Sequence, residues 1–271
     1  MIIIRLIKYS ILSITFLLSS KIFSNSGKDN IFLCYGKVPV QQIVDFKYVI
    51  LEEAHYTKEE VSEIKKKNDN VLCYISLGEV HQYVSFYKEA KKYTLQGKNT
   101  TWNSYYLDLE QKPLQHILLQ NIQEKLRKGF DGLFLDNIDN YGPYGKQKHL
   151  QKKLVEFLAT IKSNFPTIYL MQNAGLPLVE YTHPYVNSVA IESVITNYDF
   201  QHKEYKFRKR RERKRIIKAL QKIECEYKIP FLLIEYTNNK RKYRKIKRKL
   251  KRHNWNLFIG QIDLQRKPTF N

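Results

Sequence analysis

Negative charge is scarce in this chain: 26 Asp and Glu stand against 47 Lys and Arg in 271 residues, a formal net charge of +21. An imbalance of that size bears on association with anionic matter and says nothing of the fold. Cysteine is scarce too. Cys34, Cys73 and Cys225 are odd in number and lack CxxC spacing, which excludes a disulfide framework and the usual zinc patterns. All three are expected as free structural thiols, with Cys34 and Cys73 packed in strands as small hydrophobes. Glycine is not concentrated into a phosphate loop after the first strand, and no Gly-x-Ser-x-Gly elbow occurs. His55, His81 and His183 follow expected strands without zinc spacing, so they read as substrate contacts or solvated loop residues. No metal and no cofactor is expected.

Long hydrophobic runs are also missing. The apolar stretch Ile11 to Leu18 is too short to span a bilayer comfortably; Arg5 and Lys8 precede it, and Ser19, Ser20, Ser24 and Ser26 follow. That order predicts a secretory signal peptide over residues 1–26, cleaved after about Ser24 to Ser26, and hence an exported protein. An uncleaved amino-terminal anchor is the alternative. Residues 27–271 are then expected to form one domain.

What is present is a recurrence of short apolar runs: Ile31–Tyr35, Tyr48–Leu51, Val71–Leu77, Leu133–Leu135, Thr167–Met171, Val189–Ile191, Phe231–Ile234 and Leu257–Ile259. Amphipathic segments separate several of them, at 58–67, 113–128, 148–165, 213–227 and 239–253. Strands alternating with helices pair in parallel through crossovers, and eight such units predict a (β/α)8 TIM barrel of the α/β class. An open doubly wound sheet is the runner-up.

Polar residues close these runs in a pattern. Glu52 and Glu53, Glu79, Asp136, Glu192 and Glu235 stand at or just beyond strand ends, with Gln172, Asn173 and Gln261 at others. A barrel brings all carboxyl ends to one face, so several acids would share one cleft. Asp136 alone reads either as a helix N-cap or as a catalytic carboxylate. The recurrence favours the cleft. Crowded carboxylates suit glycoside hydrolysis, which needs a protonated acid beside an ionised partner. Tyr35, Tyr141, Tyr144, Tyr198 and Tyr236 are candidates to line a path for sugar rings. Asp136 with Asp139 is a weak pattern for a divalent cation.

The segment GFDGLFLDNIDNY, preceded by ISLGEV and followed by QNAG and VAIES, resembles glycoside hydrolase family 114, the endo-α-1,4-polygalactosaminidases and their relatives. The resemblance implies a (β/α)8 barrel acting on α-1,4-linked galactosamine polymers, partly N-acetylated. It puts the catalytic pair on Asp136, as nucleophile if hydrolysis is retaining, and Glu192, as acid/base. Tyr35, Glu79, Asp139, Tyr141, Gln172, Asn173, Glu235 and Tyr236 are the expected substrate-binding residues. After Gly78 and Glu79 the family usually carries an acidic residue and an arginine; His81 and Val84 stand here, so the loop after the third strand is expected to meet a different sugar.

Two stretches hold much of the positive charge, Lys203–Lys218 and Lys240–Arg252. Tyr243, Ile246 and Leu250 recur at helical spacing in the second, and Ile216, Leu220, Ile223 and Tyr227 in the first, as on outer helices with an apolar seam and a basic solvent face. A solvated lysine-rich surface explains them. The functional alternative is attraction to an anionic envelope polymer or lipid surface, with nucleic acid the less expected partner. Two non-catalytic readings remain beside the hydrolase: a polyanion-binding barrel and a sugar-binding lectin.

Overall fold

The computed structural model describes residues 31–271; the expected signal segment, 1–26, lies outside the described residues. Eight strands form the central sheet: β1 (Ile31–Cys34), β2 (Tyr48–Leu51), β3 (Asn70–Ser76), β4 (Gly132–Asp136), β5 (Tyr169–Asn173), β6 (Ser188–Glu192), β7 (Phe231–Tyr236) and β8 (Asn256–Gly260). They are hydrogen-bonded in that order, every pair parallel. The barrel is nearly closed: past the ends of β1 and β8, the Tyr35 amide donates to the Leu264 carbonyl at 2.7 Å and bridges the seam.

Alternation along each strand divides the core in two. Ile31, Leu33, Ile50, Leu72, Phe134, Met171, Ala190, Leu232, Ile234 and Phe258 fill the barrel, while Phe32, Val49, Val71, Leu133, Leu135, Val189, Phe231 and Leu233 face the helices. Gly132 is required where β4 meets β5, since a Cβ there would lie 1.9 Å from the Tyr169 carbonyl oxygen. Five helices of eight residues or more pack outside: α1 (Lys58–Lys65), α2 (Lys112–Lys128), α3 (Gln151–Asn164), α4 (Arg210–Tyr227) and α5 (Lys240–Leu250). Local chemistry sets their ends. Thr57 and Glu60 form a capping box at α1, Gly129 closes α2 at φ 112°, and Asn239 caps α5 by accepting from the Lys242 amide at 2.9 Å.

Two insertions depart from the repeating unit. After β3 a small antiparallel sheet is built from Glu79–His81, Thr94–Asn99 and Ser104–Leu107. After β6 comes the hairpin Thr196–Asp199 with Glu204–Phe207. The second insertion takes the start of the first basic stretch, so that stretch is a strand before it is a helix. Cys34 and Cys73 are buried as expected, whereas Cys225 is exposed on α4. Five residues on from Leu220, it lies about 140° round the helix from that contact with the core.

Candidate active site

Inward parity carries past the apolar layer to the carboxyl ends of the strands. Two residues beyond Leu33, Ile50, Leu72, Phe134, Met171, Ala190 and Ile234 come Tyr35, Glu52, Tyr74, Asp136, Asn173, Glu192 and Tyr236. Together they line the mouth of the barrel. Asn173 is the hub: its Nδ2 donates to Asp136 Oδ1 at 2.9 Å and to Glu192 Oε1 at 2.7 Å. Tyr74 donates its hydroxyl to the other Asp136 oxygen at 2.9 Å, and Tyr236 to Glu192 Oε2 at 2.7 Å. Each carboxylate is therefore fixed at both oxygens by neutral donors, with no cation bonded to either among the described residues. Asn173 itself is buried, and its Oδ1 has no donor among the described residues. An unpaired buried carbonyl costs about 1–3 kcal/mol, which the orientation of the amide toward two carboxylates must offset.

The electrostatics separate the pair's neighbours. Burial raises the Glu192 pKa, the Asp136 charge raises it further, and the bonds from Asn173 and Tyr236 partly hold it down. Asp139, in the turn Ile138–Tyr141, is exposed as a residue; atoms packed round its carboxyl and then the Asp136 charge raise its pKa. Tyr35 and Tyr74 are pushed well above the ordinary phenol value by burial and then by the Asp136 charge. The residue after each of Asp136, Asn173 and Glu192 is left-handed and not glycine: Asn137 at φ 60°, Ala174 at 59° and Ser193 at 58°. Such residues cost about 1–2 kcal/mol apiece. Their repetition marks where the chain turns sharply to present the side chain before it.

Four residues expected to bind substrate face elsewhere. Glu235 follows an inward residue and so points outward, fully buried, accepting from the Ile195 and Thr196 amides at 2.7 and 2.8 Å and from the Thr196 hydroxyl at 2.6 Å. Gln172 has the same parity; it donates to the Ala174 carbonyl at 2.9 Å and accepts from Thr182 at 2.6 Å. Tyr141 is buried with its hydroxyl on the Leu77 carbonyl at 2.7 Å. Glu79 is buried and bonded to Ser104, to Asn99 at 3.0 Å and to Asn140 at 2.9 Å. These four hold the loops of the site in place. Conversely, sequence reading passed over Tyr74 and named Glu52 only as a strand-end acid. Counting two residues on from Leu72 and Ile50 would have found both. A recess of about 670 Å³ lined by Asp131, Phe165 and Tyr169 opens at the opposite end of the barrel, away from these groups.

A model of glycoside-hydrolase family GH114 matches residues 24–267. The chain belongs to that family. As a GH114 protein it is a glycoside hydrolase, and the paired carboxylates at the mouth agree with that chemistry. Among solved structures, the glycoside hydrolase domain of PelA from Pseudomonas aeruginosa superposes with a TM-score of 0.78 at 22% identity, over 89% of this chain and 99% of that one. Ega3 of Aspergillus fumigatus, in complex with galactosamine, gives 0.66 at 17% identity, over 87% and 91% of the two chains. At those identities the likeness is one of fold. The protein MJ1477 of Methanocaldococcus jannaschii is 25% identical over 155 residues, 51% of this chain. The match spans 44% of the length of that relative.

Proposed function

We propose that residues 27–271 act as one exported catalytic unit that cleaves internal bonds of an α-1,4-linked galactosamine or N-acetylgalactosamine polymer with retention. The observation that carries this reading is the single Asn173 nitrogen shared by Asp136 and Glu192. Two bonds to one atom hold the nearest oxygens within roughly 5.6 Å, the sum of the two distances, close to the span of about 5–5.5 Å typical of retaining enzymes. Glu192, with its raised pKa, holds the proton that the leaving glycosidic oxygen needs. Asp136 attacks the anomeric carbon, and the bond to the leaving oxygen breaks as the proton arrives. Glu192, now ionised, deprotonates the water that releases the sugar from Asp136. Acidic groups at the mouth (Asp139 and Glu52 besides the pair) suit a cationic amino sugar, and Ega3, a fold neighbour, is solved with galactosamine. The α4 and α5 surfaces fit attraction to an anionic envelope polymer or lipid surface beside that activity.

Asp136→Asn and Glu192→Gln should each lower kcat/KM on partly deacetylated α-1,4-galactosamine polymer by at least about 10²–10⁴-fold, with thermal unfolding preserved. Mass spectrometry should find a sugar adduct on the peptide carrying Asp136. Full activity in either variant defeats the assignment, and initial product of inverted anomeric configuration defeats retention.

A further inference from the structure

The two insertions meet. Each ends in a four-residue turn, 100–103 in the first and 200–203 in the second, and each turn closes on a left-handed residue, Asn103 at φ 57° and Lys203 at 52°. Trp102 at one tip lies edge-on to Phe200 at the other, with centroids 5.7 Å apart and planes at 89°. Phe200 rests in turn on Tyr198 at 5.0 Å, and Tyr198 on Tyr205 at 4.8 Å, which packs on the inner core of the barrel. The insertions spring from β3 and β6, which β4 and β5 separate in the sheet. Contact between their tips therefore closes a ring over the ends of β4 and β5, where Asp136 and Asn173 stand.

Both hairpins are anchored. Buried Glu79 ties the first just below its turn, through Asn99 and Ser104, and buried Glu235 ties the second at its root, through Thr196. Yet the rings at the tips stay open to solvent, Trp102 at 53% and Phe200 at 51% of their full area. Large exposed aromatics on anchored turns, continuous with a glycan cleft, present flat faces for a ligand. A pyranose offers an apolar C–H face to such a ring, and an ammonium on the sugar adds attraction to the indole face.

We propose that Trp102 and Phe200 form a sugar-stacking subsite apart from the catalytic pair, a clasp that holds a pyranose of a long glycan as the chain passes the mouth. This rests on the hydrolase reading above and extends it to how polymer is told from short oligomer. The clasp adds contacts for residues of the polymer beyond those at the carboxylates, so its loss penalises long substrates most.

Trp102→Ala and Phe200→Ala are assayed on the α-1,4-galactosamine polymer and on its short oligomers. Binding is read separately in an Asp136→Asn, Trp255→Phe background, where Trp102 is the sole tryptophan of the two in the sequence. The expected result is a saturable change in Trp102 emission with polymer, and a KM for polymer raised roughly 3–10-fold in either alanine variant, more than for the oligomers. Turnover of polymer by the unaltered protein, with unchanged KM in both variants, overturns the clasp and leaves the hydrolase reading standing. Saturable emission change without any turnover by the unaltered protein supports the clasp and defeats hydrolysis. Neither turnover nor emission change overturns both.

Discussion

Asn173 decides how the two acids behave. It shares one nitrogen between Asp136 and Glu192, and its bond to Glu192 favours the ionised form. In the proposed mechanism activity should fall on the alkaline side as Glu192 loses the proton it donates, and its raised pKa should move that limb above the ordinary glutamate range of about 4.3. Asn173→Ala removes a stabilising donor. The alkaline limb of kcat/KM should then shift further up in pH while kcat drops, and in Glu192→Gln that limb should vanish. A limb that stays put in Asn173→Ala would assign it to another group. Residue identity along this part of the chain was legible in the sequence: Asp136 and Glu192 stood at strand ends by inspection. Which neighbours face them was not read, because strand parity was not carried beyond the apolar runs. Parity separates Asn173 and Tyr236, which point in, from Gln172 and Glu235, which point out.

At the scale of elements, the eight strands and five helices were largely visible. Long periodic segments gave α2 and α3 within a few residues, and the apolar runs gave every strand of the barrel. The hairpins after β3 and β6 were missed for a physical reason. Thr94–Asn99 is half-exposed and largely polar, so no apolar alternation announces it, and the alternation of Glu204–Phe207 lasts only four residues inside a run of basic charge. Buried carboxylates brace them instead, Glu79 beside the turn of the first and Glu235 at the root of the second. Burial raises the Glu235 pKa to about 7, against the bonds from Thr196 and Ile195. The unfolded chain releases this proton near the ordinary glutamate value, and the folded chain keeps it until about pH 7. Folding stability should therefore decline as pH rises between those values and level off above, by up to about 3 kcal/mol. Glu235→Gln should flatten that decline in thermal melts recorded against pH. It should also cost about 1–3 kcal/mol at low pH, because its amide turns one N–H toward the donors of Ile195 and Thr196. Unaltered pH dependence in the variant would remove Glu235 from the account.

Over the whole molecule, charge is divided by place. Asp136, Asp139, Glu192 and Glu52 stand together at the mouth, while α4 and α5 share one cationic wall. Lys249 is held below the ordinary lysine range first by desolvation and then by the charges of Arg213, Lys245, Arg248 and Arg210, so the two helices face each other with like charge. A cationic polymer is repelled at long range by the large net positive charge, and salt screens that repulsion beyond about 8–10 Å. Accordingly kcat/KM on deacetylated polymer should rise with ionic strength up to about 0.15 M, and on fully acetylated polymer should stay flat. A fall with salt on the cationic polymer would mean that the mouth outweighs the wall at a distance. The division also sorts encounters by direction. A positively charged chain drifting toward the helices is repelled, whereas one arriving along the barrel axis meets the carboxylates of the mouth. Approach of a cationic chain should therefore be one-sided, open at the mouth and closed along the flank of α4 and α5.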